Sequence, residues 1–269
     1  MNIEQHVFPD RQARSGTAMR KMIKNVSRLL LSCAGIGWLM AAKPAELTAT
    51  TSDAPVPVEY KFTASSYQSS VGNDATDFNL RINQGQHTGW VGRYADANGF
   101  TQERIGYDNR QDFGLVRLVS TIEFGSGGYK GVAVATEIGT DTYAIAGMDR
   151  TNLRSFYNLG FDPSDAVVFG AGTRAFPASE LSLFQVRENR LDTQRRATHL
   201  VWRYKPEQTQ RLTLDASHKS GIDDDGRFVK GYALSATYDY GQYFARLARD
   251  QYANFSASHL TRVAVGMRF

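Results

Sequence analysis

From about residue 58 onward the chain alternates between apolar and polar side chains. In the last ten residues, Thr261, Val263, Val265, Met267 and Phe269 share one parity, while Leu260, Arg262, Ala264, Gly266 and Arg268 share the other. Side chains of an extended strand point to opposite faces with period two, so this segment has one apolar and one arginine-bearing face. The same alternation recurs in runs of about 8–11 residues punctuated by turn residues. It predicts strands over 76–84, 87–95, 100–108, 113–124, 128–138, 141–149, 152–160, 165–174, 179–188, 196–204, 208–218, 228–240, 241–249 and 257–269. Residues 58–67 form a fifteenth candidate run, and no helical spacing persists beyond two turns.

A terminal strand that closes on Phe269 resembles the final strand of Gram-negative outer-membrane β-barrels, a resemblance of pattern over 58–269 rather than to one family within the class. It implies an all-β fold, a transmembrane antiparallel up-and-down barrel of about fourteen strands, with twelve or sixteen as alternatives. Such barrels have an even strand number and both chain ends in the periplasm. Either 58–67 is a periplasmic arm and 152–160 a strand, or 58–67 is the first strand and 150–164 an external loop. Counting back from Phe269, Tyr240-Gly241, Lys205-Pro206-Glu207 and Ala175 to Ala178 are short periplasmic turns, whereas Gly221–Arg227, Glu188–Arg195 and Asp250–Ser256 are longer, polar external connections. A soluble sandwich or lipocalin-like barrel shares the period of two. It fits less well, because Trp90, Tyr94, Tyr107, Phe124, Tyr204, Tyr238, Tyr240 and Phe269 gather near strand ends like interface girdles.

The amino-terminal part reads differently. Basic residues between Met19 and Arg28 precede an apolar run from Leu29 to Ala42, too short for the ~20 residues of a spanning helix and suited to a signal peptide. Residues 1–42 are therefore expected to be an upstream extension and signal peptide, with Met19 or Met22 as the natural start, and 43–57 a Pro/Ala/Thr linker. The formal charge of +4 changes meaning with this division. Residues 1–42 hold six of the 31 Lys and Arg but two of the 27 Asp and Glu, leaving 25 of each in the remainder. A neutral mature chain gives no footprint for nucleic acid. Cys33 is the lone cysteine and lies in the leader, so the mature chain has no disulfide, thiolate metal site or cysteine nucleophile.

Setting Phe269 and its parity towards lipid puts arginine inside. Arg81, Arg93, Arg117, Arg154, Arg203, Arg211, Arg246, Arg262 and Arg268 fall opposite the apolar sets of their strands, with Asn79, Asn83, Asn152, Asn158, Thr121 and Thr213. The acidic lumen candidates are Glu123, Glu137, Asp215 and Asp239. Rings of arginine in a pore favour anions. The expectation is a small monomeric diffusion channel with an Arg-rich, anion-preferring lumen, similar in kind to small porins for acidic sugars. The rival is a closed structural or receptor barrel whose arginines pair with carboxylates. The expected partners are outer-membrane lipids and lipopolysaccharide, the barrel assembly machinery through the last strand, and small anionic solutes. No cofactor or metal is implied.

One local pair offers chemistry. His218 and Ser220 share the lipid-facing parity at the external end of a strand, and a hydroxyl with a base in reach is the minimum for acyl hydrolysis. The pair is similar to that of outer-membrane phospholipase A and the lipid A deacylases, but Gly221 stands where those families place Asn. Other motifs fail on context: Gly170-Ala-Gly-Thr is followed by Pro177 rather than a helix, and Asp223-Asp-Asp-Gly lacks the alternating spacing of a calcium loop.

Overall fold

The computed structural model describes residues 56–269; the leader over 1–42 and nearly all of the linker lie outside them. Fourteen antiparallel strands close into one barrel, each paired with its sequence neighbours and the first paired with the last. They are β1 (Val58–Ser69), β2 (Ala75–Gln84), β3 (His87–Asp96), β4 (Thr101–Asp112), β5 (Val116–Gly125), β6 (Tyr129–Gly139) and β7 (Thr142–Thr151), followed by β8 (Ala166–Thr173), β9 (Ser179–Glu188), β10 (Arg196–Glu207), β11 (Gln210–Ile222), β12 (Phe228–Tyr240), β13 (Tyr243–Asp250) and β14 (Leu260–Arg268). The soluble alternatives fall, because the large apolar side chains point away from the interior. Leu200 is 47 % exposed, Leu234 60 % and Val265 55 %, while Ser65, Asp77, Lys219 and Asp239 are buried inside. That inversion suits lipid outside and polar groups within.

Closure gives Phe269 its partners. Lys61↔Arg268 through Ser69↔Leu260 are in register across β1 and β14. One residue further, Tyr60 N donates to Phe269 O at 2.8 Å and Phe269 N to Tyr60 O at 3.0 Å. The two rings stack outside at 5.6 Å, so the last residue completes the seam. Inside that seam, Phe244 lies flat over Gly266, where an added Cβ would stand 2.3 Å from a ring carbon.

One sequence expectation is corrected and one open choice is settled. Residues 58–69 form the first strand, and 152–165 form the long external connection between β7 and β8 instead of a strand. The alternation in 152–160 is real, but Leu153, Phe161 and Asp165 take left-handed backbone angles. Asn158 also folds the chain locally, its Oδ1 accepting from Gly160 N at 2.8 Å and its Nδ2 donating to Asp162 O at 2.9 Å. Asparagine turns of this kind compete with extension. The turn expected at Lys205-Pro206-Glu207 sits instead at residues 208–209, and the register shifts between Tyr204 and Glu207. Proline donates no ladder hydrogen bond, so a bulge absorbs it.

Candidate functional site in the barrel lumen

The loop between β7 and β8 does not project outwards. In the ring of fourteen, β1 stands seven places from β8, which is diametrically opposite. A barrel of this size is ~28 Å across from strand spacing and tilt. Half of the loop reaches ~23 Å when extended, enough to bring its side chains to those of the far wall. Phe161 packs edge-on against Tyr67 of β1 at 6.3 Å, and Tyr157 stacks on Tyr94 of β3 at 4.6 Å. Phe156 stacks on Tyr129 of β6 at 3.8 Å. The buried Gln102 amide, oriented to satisfy both ends, donates to Tyr157 O at 3.2 Å and accepts from Tyr157 N at 3.1 Å. These contacts seat the loop inside the lumen at the loop-bearing end, with Ala253 and Leu260 completing the same buried cluster.

Polar anchors hold the loop's ends. Asp162 Oδ1 lies 2.9 Å from His199 Nε2, and Asp215 Oδ1 lies 3.0 Å from His199 Nδ1. Two acceptors meet two donors only when both ring nitrogens carry a proton. At the return to β8, Asp165 is 1 % exposed and accepts from Thr151 N at 3.0 Å and Arg190 Nη1 at 2.8 Å. Burial alone would raise the Asp165 carboxyl, but the Thr151 hydroxyl and amide and the Arg190 guanidinium hold it below the usual carboxylate range.

Below the loop the lumen opens into two cavities. One, of about 380 Å³, lies between Phe161, His199, Asp215, Arg246 and Arg262. The other, of about 530 Å³, lies towards the chain-terminal end between Arg110, Arg117, Glu137, Arg174 and Glu180. Their electrostatics differ. Around the second cavity the charges are interleaved: Arg117 pairs with Asp112 at 3.0 Å and Glu137 at 3.6 Å, Arg203 pairs with Glu180 at 3.2 Å, and Arg174 bonds to Glu137. Along the seam the cations stand together. Lys61 is the register partner of both Arg268 and Arg81, so three cations face the lumen side by side on β14, β1 and β2. Like charges directly opposite across strands destabilise a sheet unless something anionic offsets them. Arg246 donates to Thr237 Oγ1 at 2.8 Å and Arg262 to Ser65 Oγ at 3.1 Å. Among the described residues, no carboxylate lies within ion-pair distance of Lys61, Arg246 or Arg262. Arg268 and Arg211 share the single carboxylate of Asp239, at 2.6 and 3.2 Å.

Of the residues expected inside, Arg81, Arg117, Arg203, Arg211, Arg246, Arg262, Arg268, Glu123, Glu137, Asp215 and Asp239 share the inward parity of their strands. Arg93 does not. It alternates with Tyr94, which is 2 % exposed, and shares the outward face with Val91, which is 48 % exposed. The inward Trp90 and Tyr94 mimic a lipid-facing set, and that inverted the assignment of β3. Arg154 is exposed in the loop and not on a strand, and Asn152 and Asn158 likewise belong to that connection. The expected excess of cations also fails, because Asp77, Asp108, Glu180 and Asp250 face inward too and hold Arg104, Arg81, Arg203 and Lys219. The lumen is close to balanced, and its positive character is local to the seam. His199 and Asp77 were legible in principle, since each alternates with an outward apolar neighbour, Leu200 and Phe78.

The His218/Ser220 pair faces outward, but Ser220 Oγ accepts from Arg196 Nε at 3.0 Å, and the His218 ring lies 5.1 Å from that of Tyr232. Among the described residues no hydrogen bond joins His218 to Ser220 and no carboxylate orients the ring.

Fold and face polarity define the class: a fourteen-strand outer-membrane-type β-barrel with an inward loop. No family model matches the chain, and no curated protein matches it. Among solved structures, the outer membrane protein Omp33 of Acinetobacter baumannii superposes with a TM-score of 0.50 at 8% identity, over 78% of this chain and 98% of that one; this likeness shows the fold. A triple mutant of the Rhodopseudomonas blastica porin gives a TM-score of 0.46 at 10% identity over 80% of this chain and 100% of that one. Salmonella typhi OmpF, in a complex with daunomycin, gives 0.45 at 10% identity over 80% and 97%.

Proposed function

We propose that this protein is a narrow outer-membrane diffusion channel that acts as a monomer, prefers small anions, and is constricted by the loop of residues 152–165. The observation that carries the reading is the row Arg268–Lys61–Arg81, three adjacent lumen-facing cations with Arg246 and Arg262 above them; Arg268 shares Asp239 with Arg211 and Arg81 stands 3.9 Å from Asp108, while Lys61, Arg246 and Arg262 have no carboxylate within ion-pair distance among the described residues. Such a row costs stability in a sheet, and an anion pathway gives it a use. The apolar outer face supports a barrel surrounded by lipid, and the aromatic rings of Tyr60 and Phe269 at the chain-terminal end support a periplasmic interface there.

The test is single-channel recording in planar bilayers. The wild type should give discrete conductance steps with a reversal potential displaced towards the anion in a salt gradient. Lys61→Gln with Arg81→Ser should lower the anion-to-cation permeability ratio by about five-fold per charge, since a unit charge ~8 Å from a permeating ion in water is worth ~0.5 kcal/mol, of opposite sign for anion and cation. Arg117→Ser, from the interleaved wall, should move it less. A second reading, a closed structural or receptor barrel, is favoured by the loop's aromatic seal. It predicts silent bilayers for the wild type and for Lys61→Gln with Arg81→Ser alike.

A further inference from the structure

The outer face is not equivalent at its two ends. Its chain-terminal end carries aromatic residues, among them Tyr60, Tyr238, Tyr240 and Phe269. Its external end carries cations beside the aromatic Phe124, Phe228 and Tyr232: Lys130, Arg150, Arg187, Arg196, Lys230 and Arg249 open or close β6, β7, β9, β10, β12 and β13 with outward parity. In that external half, the outward positions of β6 to β13 hold no carboxylate among the described residues.

Within this arc one pair stands out. Arg187 and Arg196 are direct register partners across β9 and β10. Both are exposed, and among the described residues neither has a carboxylate within ion-pair distance. Arg196 keeps one hydrogen bond, from Nε to Ser220 Oγ at 3.0 Å, which holds its guanidinium plane while leaving its other donors free. Two guanidiniums directly opposite each other repel unless an anion lies between them. Beside Arg187 is a hollow of about 490 Å³ floored by Val167 and Phe169 and roofed by the loop 189–194. Two acidic residues line it: Glu188 is already occupied, accepting from Thr193 N at 3.1 Å and Thr193 Oγ1 at 3.0 Å, and Asp192 is exposed on the loop, where Arg190 lines the same hollow. Towards the membrane centre comes the outward pair Gln185 and Thr198, joined by a hydrogen bond of 2.9 Å, and beyond it the apolar Leu183, 56 % exposed, and Leu200.

We infer that Arg187 and Arg196 form a binding site for a phosphorylated glycolipid of the outer leaflet, with a phosphate held between the guanidiniums and an acyl chain along Val167, Phe169 and Leu183. The planar fork of arginine matches phosphate oxygens, and the pair sits at the depth where headgroups meet the apolar band. The inference rests on the reading that the barrel spans the outer membrane with the loop-bearing end outside.

The experiment is native mass spectrometry of the barrel refolded in detergent, with bis-phosphorylated lipid A as the probe. Heat-modifiability gels on the same samples report whether the barrel forms and needs detergent, so failure of the membrane reading shows there and not in the lipid adducts. The wild type should retain one lipid A. The double substitution Arg187→Gln with Arg196→Gln should bind at least ten-fold more weakly, Arg187→Lys with Arg196→Lys should fall between, and dephosphorylated lipid A should be lost to the same degree as in the double Gln variant. Equal retention by the wild type and the double Gln variant overturns the site. So does retention of the dephosphorylated lipid, or complete displacement by an equal concentration of inorganic phosphate, which would mark a simple anion site. If the Gln pair fails to fold, the Lys pair, which keeps both charges, decides: retention equal to wild type removes the role of the guanidinium fork.

Discussion

Phe161→Ala should release the constriction without unfolding the barrel. Phe161 is 7 % exposed and makes edge contacts with Tyr67 at 6.3 Å and Tyr157 at 6.4 Å. Truncating a buried phenylalanine costs ~3–5 kcal/mol in a closed core. Here Phe161 also borders the 380 Å³ cavity, so the space left behind fills with water and the lower end applies, about 3 kcal/mol. At 1.4 kcal/mol per factor of ten, the ratio of seated to unseated loop should fall by ~100-fold. The fourteen-strand ladder does not include the loop, so thermal unfolding of the barrel should be nearly unchanged. In planar bilayers the variant should show larger or longer openings than the wild type. Leu153→Ala, at a loop position 50 % exposed, should behave as the wild type. A folded, heat-modifiable Phe161→Ala barrel with wild-type conductance and dwell times would refute the claim that this ring seats the loop.

The loop should also be sensitive to strong acid. Asp165 titrates below the ordinary carboxylate range of about 3.9, so its contribution is fully present above that pH and is lost as pH falls through the lower folded value; protease cleavage within 152–165 should rise only below about pH 4, and Asp165→Asn should be cleaved at neutral pH. Val265→Arg, on the lipid face at 55 % exposure, should impair refolding by ~2–4 kcal/mol if measured near the midplane, whereas Ala135→Arg, facing the second cavity, should refold normally by heat-modifiability gel. Gly266→Val should slow or block assembly, because its side chain would meet the Phe244 ring and the Phe62 carbonyl at 2.3 Å; normal refolding yield would show that the seam can shift.

The alternation of side chains by itself determined the architecture. A strand between lipid and a polar interior must repeat with period two, so Val263, Val265 and Phe269 against Arg262 and Arg268 already carry the faces. The same logic carried Arg81, Arg211, Arg246 and most of the named lumen residues. It failed at Arg93, where the inward aromatics Trp90 and Tyr94 have the hydrophobicity of outward ones, and parity alone cannot tell a ring that packs on a loop from a ring that meets lipid. It left 152–165 open between strand and loop, because the segment alternates like a strand yet folds inward. The identity of that segment was decided by distant partners, Tyr67, Tyr94, Gln102 and His199, and by the left-handed residues that they fix. Charge pairing was likewise a property of the closed barrel. Whether an arginine is neutralised depends on which strands lie beside it and across the lumen, so only the tertiary structure separated the paired Arg117 and Arg203 from the cation row at Lys61.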